Sequence, residues 1–223
     1  MDECLPPIIR DNKIFMLPFY YYAYRGKRIK QAMNFKKLAY SMSSEDYANF
    51  YSHINTISRN RKTDLNNQCI KYIISIVKSF DSGKLVDIGC AGGYLLKMIH
   101  EANPFLELSG YDIKKFDLPG FITLNTGDIT DLPYPDNHFD IVTCCHTIEH
   151  LINIKESISE IIRIAKKDII IVTPCQRPYF YTLDEHVNFF NYAEQLTSLF
   201  KFTDFKCIKL GGDWLYHASV NKH

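Results

Sequence analysis

Several things are scarce in this chain of 223 residues. Net charge is only +1 at neutral pH, which gives no global pull toward nucleic acid or a membrane. None of its seven cysteines form a C-x-x-C pair, and the count is odd, so neither a disulfide framework nor a thiolate zinc site is indicated. No apolar run is long enough to span a bilayer. The best candidate, Ile14 to Tyr24, is too short and carries Pro18. The opening stretch Met1-Asp2-Glu3-Cys4-Leu5-Pro6-Pro7 is acidic and proline-broken, unlike a signal peptide. No internal repeat or low-complexity tract interrupts the chain. What remains, 46% hydrophobic and 23% charged, is an ordinary globular composition. It fits a single domain with a small cap, in a reducing, cytoplasmic setting where thiols pack as small hydrophobes.

The pattern changes near residue 64. Residues 1–25 read as irregular and aromatic, with Phe15, Phe19, Tyr20, Tyr21, Tyr22 and Tyr24. A basic stretch follows (Arg25, Lys27, Arg28, Lys30, Lys36, Lys37), with no acid until Glu45. Ser43 or Ser44 is a candidate cap for a helix to about 57, and Asp64 for one to Phe80. Beyond Lys84 strands and helices alternate. Strands are expected at 84–88, 106–111, 121–124, 139–145 and 168–173, and helices at 93–102, 153–166 and 192–200. The short connection 113–120, with Pro119-Gly120, leaves room for a turn rather than a crossover helix. Such alternation implies a parallel sheet covered on both faces. The runs 205–210 and 214–220 flank Gly211-Gly212-Asp213 and read as a hairpin, so the last strand should run antiparallel.

The most informative stretch is Val86-Asp87-Ile88-Gly89-Cys90-Ala91-Gly92-Gly93, an apolar strand running into a glycine turn and a helix start. Glycines there let backbone N–H groups approach a ligand. Asp87 adds a carboxylate where a pyrophosphate would be repelled, so it argues for a cationic or hydroxyl-rich ligand. Ala91 stands between the glycines and costs freedom if that position needs a positive φ.

Four motifs in order resemble the class I S-adenosylmethionine-dependent methyltransferases, in their broad small-molecule (type 11-like) group: the Asp87-to-Gly93 turn, Gly110-Tyr111-Asp112-Ile113, Gly127-Asp128-Ile129, and Leu132-Pro133-Tyr134-Pro135-Asp136-Asn137-His138-Phe139-Asp140-Ile141-Val142. The likeness runs from about Lys84 to Phe200. It implies an α/β, Rossmann-like three-layer sandwich around a seven-stranded, mostly parallel sheet. It also implies a cap or lid over residues 1–63 and the methyltransferase domain over 64–223. S-adenosyl-L-methionine would be the donor and S-adenosyl-L-homocysteine the product. The resemblance assigns donor contacts to Asp87, Gly89, Cys90, Ala91, Gly93, Asp112, Ile113, Asp128, Ile129 and Cys145. Within these, Asp112 would bind the ribose hydroxyls, Ile113 the adenine face and Asp128 the adenine amino group.

Strand four runs into Cys144-Cys145-His146-Thr147-Ile148-Glu149-His150. The H-x-x-E-H string is not a zinc-protease motif here, because that motif needs a long helix and this string joins a strand to a helix. Some related enzymes carry E-x-x-E-H at this place and bind a divalent cation. His146 replaces their first glutamate, which weakens the case for Mg²⁺ and favours a softer ion. No metal ligand is assigned. Three readings of the Glu149–His150 pair stay open: pocket lining, general base, metal ligand.

After strand five, the segment Asp184-Glu185-His186-Val187-Asn188-Phe189-Phe190 resembles one in relatives whose histidine faces the acceptor. A neutral imidazole of pKa about 6.5 can take a hydroxyl proton. His186, His150 and His146 are therefore the candidate catalytic residues, with the N-terminal run of tyrosines, and Tyr179 and Tyr181, as candidate pocket walls. The acceptor is expected to be a small anionic or sugar-type metabolite, O-methylated in a pathway such as surface polysaccharide synthesis. An RNA methyltransferase needs a wider basic, aromatic surface than this chain offers. A non-catalytic donor-binding module fits poorly with intact Asp87, Asp112 and Asp128.

Overall fold

A computed structural model of the chain describes residues 5–43, 46–47, 49–50, 62–181 and 183–220. Seven strands form one sheet: β1 Gly83–Ile88, β2 Leu106–Asp112, β3 Ile122–Thr126, β4 Phe139–Cys145, β5 Ala165–Pro174, β6 Phe205–Leu210 and β7 Asp213–Ser219. Their order is β3-β2-β1-β4-β5-β7-β6. β1 pairs in parallel with β2 and β4, and β7 runs antiparallel to β5 and β6. The order reverses between β1 and β4, and in such sheets a crevice opens at that point, beyond the strands' carboxyl ends.

Side chains alternate across the sheet, so the two faces can be read from the strands. Leu85, Ile170 and Val172 face one side, packed with Ile70, Ile73 and Val77 of α5 (Asn67–Val77) and Leu95, Leu96 and Ile99 of α6 (Tyr94–Ala102). Val86, Ile88, Ile169 and Ile171 face the other, packed with Ile158, Ile161 and Ile164 of α7 (Ile154–Ile164) and Leu196 of α8 (Ala193–Thr197). The three layers match the expected sandwich, and no helix separates β2 from β3.

Three boundaries differ from the sequence reading. Asn66, not Asp64, caps α5. Its side chain accepts from Gln68 and Cys69 N–H (2.9 and 3.0 Å), while its amide donates to Leu210 O and Asp213 Oδ2. α7 stops at Ile164 because the chain enters β5 at once. Most of the described residues before 25 are helical rather than irregular. α1 (Pro7–Arg10) and α2 (Lys13–Ala23) are followed by α3 (Ile29–Met33) and α4 (Phe35–Ala39). Asn12 caps α2 by accepting from Ile14 and Phe15 N–H, and Pro18 is carried inside the helix. Most of the helix expected from Ser43 or Ser44 to about 57 lies outside the described residues.

The N-terminal helices dock on the segment after β5. Asp11 accepts from Phe180 N–H at 2.6 Å, Arg10 donates to Tyr181 O, and Tyr24 donates to the Glu185 carboxylate. Tyr20 and Tyr24 stack, and Tyr181 meets Tyr20 edge-on. No helix among the described residues is long and apolar enough to cross a membrane.

Candidate functional site

The turn after β1 sits at the switch point, with one cavity on each side. The larger, about 450 Å³, is bordered by Gly89, Ala91, Asp112, Ile113, Lys114, Asp128, Ile129, His146, Thr147 and His150, and on its far wall by Tyr40, Met42, Ser43 and Tyr47. The smaller, about 250 Å³, is bordered by Lys62, Asp64, Asp87, Cys90, Gly92, Cys145 and His146. Gly89, Ala91 and His146 border both. A small ligand threaded over the turn would reach into each.

The turn is held by its neighbours. Gly89 (φ +76°) and Cys90 donate their N–H to Tyr111 O at 2.7 and 3.2 Å. A Cβ on Gly89 would fall 2.0 Å from Thr147 Oγ1, so close packing alone demands glycine there. Ala91 has φ 44°, a left-handed conformation that an L-residue resists. Its N–H donates to Asp112 Oδ2 at 2.9 Å. Lys114 N–H donates to Asp112 Oδ1 at 3.0 Å. Burial still raises the Asp112 carboxyl above its ordinary value.

Asp87 is 4% exposed, and Thr143 Oγ1 donates to its Oδ1 at 2.7 Å. Burial outweighs that bond and pushes the carboxyl up to about 7, with Asp112 adding like charge. A buried acid so perturbed fits a cationic ligand arriving beside it. Asp128 Oδ1 accepts from Thr130 N–H and Oγ1 (2.9 and 2.8 Å) in a local turn, and the residue borders the larger cavity with Ile129. Gly93 (φ +67°) caps α6. The Cys90 thiol turns inward toward Gly110, so Cys90 offers its backbone to the turn. Cys145, half-buried, borders the smaller cavity.

His146 is also left-handed, with φ 49°. Its ring lies 3.4 Å from Glu149 Oε1 and 3.2 Å from Asp213 Oδ2. Burial alone would lower its pKa, but the two carboxylates raise it to about 10. At neutral pH this favours the imidazolium, a proton donor rather than an acceptor. The Glu149 carboxyl is in turn held down to about 2, burial being outweighed by His146 and the other imidazoles around it. Sequence reasoning saw Asp213 only as a turn residue. The pairing of Pro174 with Asp213 is what brings it to the crevice.

His150 and His186 stand edge to face with ring centroids 4.7 Å apart. Burial, and then the charge of His186, lowers His150 to about 4. Its Nδ1 faces Glu185 O at 3.4 Å, which leaves Nε2 basic. Gln176 donates its amide to Asp184 and accepts at Oε1 from His186 Nδ1 (2.7 Å), which fixes the orientation of the His186 ring. His150 borders the larger cavity and His186 does not, so the imidazole expected at the acceptor is one ring further in. Tyr179 and Tyr181 do not border it either. Tyr179 lies between Arg10 and Arg177, and Tyr40 and Tyr47 wall the cavity instead. None of the six basic residues from Arg25 to Lys37 reaches it; Lys114 does.

Glu149, His150 and His186 offer one ligand atom each, all within 4.8 Å of one another. Glu149 is already engaged: Thr173 Oγ1 donates to its Oε2 at 3.1 Å and His146 faces its Oε1.

Residues 86–173 match the methyltransferase domain family model. An uncharacterized methyltransferase of Bacillus subtilis is 28% identical over 96 residues, covering 43% of this chain and 35% of that protein. Ajmaline N-methyltransferase of Rauvolfia serpentina is 39% identical over 51 residues, covering 23% of this chain and 18% of that one. The chain therefore spans well under half the length of these curated relatives. A chain solved in the complex between the Haloferax volcanii Trm112 methyltransferase activator and its methyltransferase superposes with TM-score 0.59 at 11% identity, covering 79% of this chain and 98% of that one. Residues 86–173, which run from β1 into β5, thus carry the likeness to the methyltransferase domain family.

Proposed function

We propose that the protein transfers a methyl group from S-adenosyl-L-methionine to a hydroxyl of a small acceptor. The observation that carries this reading is the buried Asp87 carboxyl beside a glycine turn shared by two cavities. The donor supplies an activated methyl on a sulfonium. Its adenosine would occupy the larger cavity against Asp112, Ile113, Asp128 and Ile129. Its amino-acid end would enter the smaller one, where Asp87 meets the ammonium and Lys62 the carboxylate. Methyl transfer disperses charge, so the protein's main task is alignment and exclusion of water.

The acceptor would lie between His150 and the wall of Tyr40, Met42 and Tyr47. His150 is neutral at working pH and takes the hydroxyl proton as the C–O bond forms; His186 orients it. Lys114 would meet an anionic or sugar-type acceptor, such as one in surface polysaccharide synthesis. The test is release of S-adenosyl-L-homocysteine across panels of hydroxyl, carboxylate and amine acceptors. His150→Gln should abolish hydroxyl methylation and spare donor binding. Turnover that survives in this variant overturns the base role.

A second reading rests on the convergence of Glu149, His150 and His186. Two imidazoles and a carboxylate suit a borderline ion such as Zn²⁺ or Co²⁺. It requires a thermal shift with either metal that Glu149→Gln removes.

A further inference from the structure

Helix α2 is apolar on both sides, and only one side is covered. Met16 and Tyr20 face inward, 0% and 1% exposed. Ile14, Leu17, Pro18, Tyr21 and Tyr22 recur at i, i+3, i+4, i+7 and i+8 and form one outer stripe. Ile14 is 82% exposed and Tyr22 86%. On the adjoining α1, Ile8 is 84% exposed. An apolar stripe of this length is unusual on a free surface and marks a contact site.

Charge names the occupant. Between Asp11 and Glu45 the sequence has seven Lys or Arg and no acid, in a chain whose total is +1. Lys36 and Lys37 lie over the rings of Phe189 and Phe180, away from the stripe. Lys13, Arg25, Lys27, Arg28 and Lys30 are exposed at the two ends of the stripe.

We infer that the α1–α2 face docks on the surface of an anionic lipid bilayer. Aliphatic and tyrosine side chains sink into the interfacial layer, and flanking cations meet the headgroups. Tyrosine favours that depth because its ring is apolar and its hydroxyl wet. α2 lies on the surface rather than crossing, since its 11 residues fall short of the roughly 20 a bilayer needs. A second copy of the chain fits less well, because a shared stripe would bring two basic rims together. Nucleic acid would match the cations but leave Ile8, Ile14 and Leu17 in water. This inference is independent of the donor-site reading.

The test is flotation of the full chain with phosphatidylcholine vesicles, with and without phosphatidylglycerol. Binding is expected only with the anionic lipid, falling as salt rises. Lys27→Glu with Arg28→Glu should weaken it about tenfold or more. Ile14→Ser with Tyr22→Ser should weaken it comparably without altering melting temperature, since both side chains are exposed. Three outcomes overturn the proposal: no flotation with anionic vesicles; flotation unchanged in both double variants; or a dimer in sedimentation velocity, or binding to single-stranded RNA, that persists without any flotation.

Discussion

The Ala91 N–H donates to Asp112 Oδ2 at 2.9 Å, tying the apex of the turn after β1 to the carboxyl end of β2. The bond holds a non-glycine residue at φ 44°. One acid thus fixes the backbone of the turn, and under the proposed function it also meets the donor's ribose.

Ala91 carries conformational strain that glycine would not. Ala91→Gly should raise stability by about 1 kcal/mol, the scale of a left-handed L-residue's penalty. Chemical denaturation would measure it. A loss of stability instead would mean that the methyl group packs usefully.

Asp87 should couple ligand binding to pH. Its carboxyl sits near 7 in the folded chain, above the ordinary carboxylate value, so the folded state favours the proton. Stability is therefore highest at low pH on this count, and declines as pH rises from about 4 through 7. A cationic donor needs the ionised form, so affinity should climb up to about pH 7 and then level. Asp87→Asn should steady melting temperature across this window and flatten the affinity profile. A wild-type affinity that does not change from pH 6 to 8 would remove Asp87 from the site.

His146 should show the same sign in a higher pH window. Its folded pKa, about 10, lies above the unfolded value near 6.5. The stabilisation from Glu149 and Asp213 is complete below pH 6.5 and is lost as pH rises through 10. Asp213→Asn should lower the melting temperature at pH 7, with a deficit that narrows at pH 10.5. A deficit of equal size at both would point to the Asn66–Asp213 bond rather than to charge.

His150 should titrate below a free imidazole. Nuclear magnetic resonance of its ring should give a midpoint near 4, moving up in His186→Gln yet staying under 6.5, because burial outweighs the neighbour's charge. A wild-type midpoint above 6.5 would contradict the neutral-base reading.

The sheet is legible in the sequence where strands are buried on both faces. Ile169 to Val172 form an uninterrupted apolar run because β5 lies centrally. The start of β5 is hidden, since Ala165 and Lys166 read as the end of the preceding helix and Lys167 as a link, until the Lys167–Asp140 pair (2.9 Å) gives the charge a partner. α2 is hidden by Pro18, a residue that usually ends a helix. Of the candidate site residues, Asp87, Asp112 and Asp128 are readable because each lies at or just past the carboxyl end of a strand, next to a turn. Asp213 is not, because it lies 67 residues from His146 and only strand register joins them. The order of His150 and His186 from the cavity inward is likewise a matter of packing, which no local pattern encodes.

Calorimetric titration of the folded protein with S-adenosyl-L-methionine is the most direct measurement. One site per chain is expected, with affinity reduced by about 1–3 kcal/mol in Asp112→Ala from the loss of hydrogen bonds to a charged acceptor. Absence of binding heat and of any thermal shift in the wild-type chain, or an Asp112→Ala variant that binds as tightly, would contradict a donor held across the glycine turn.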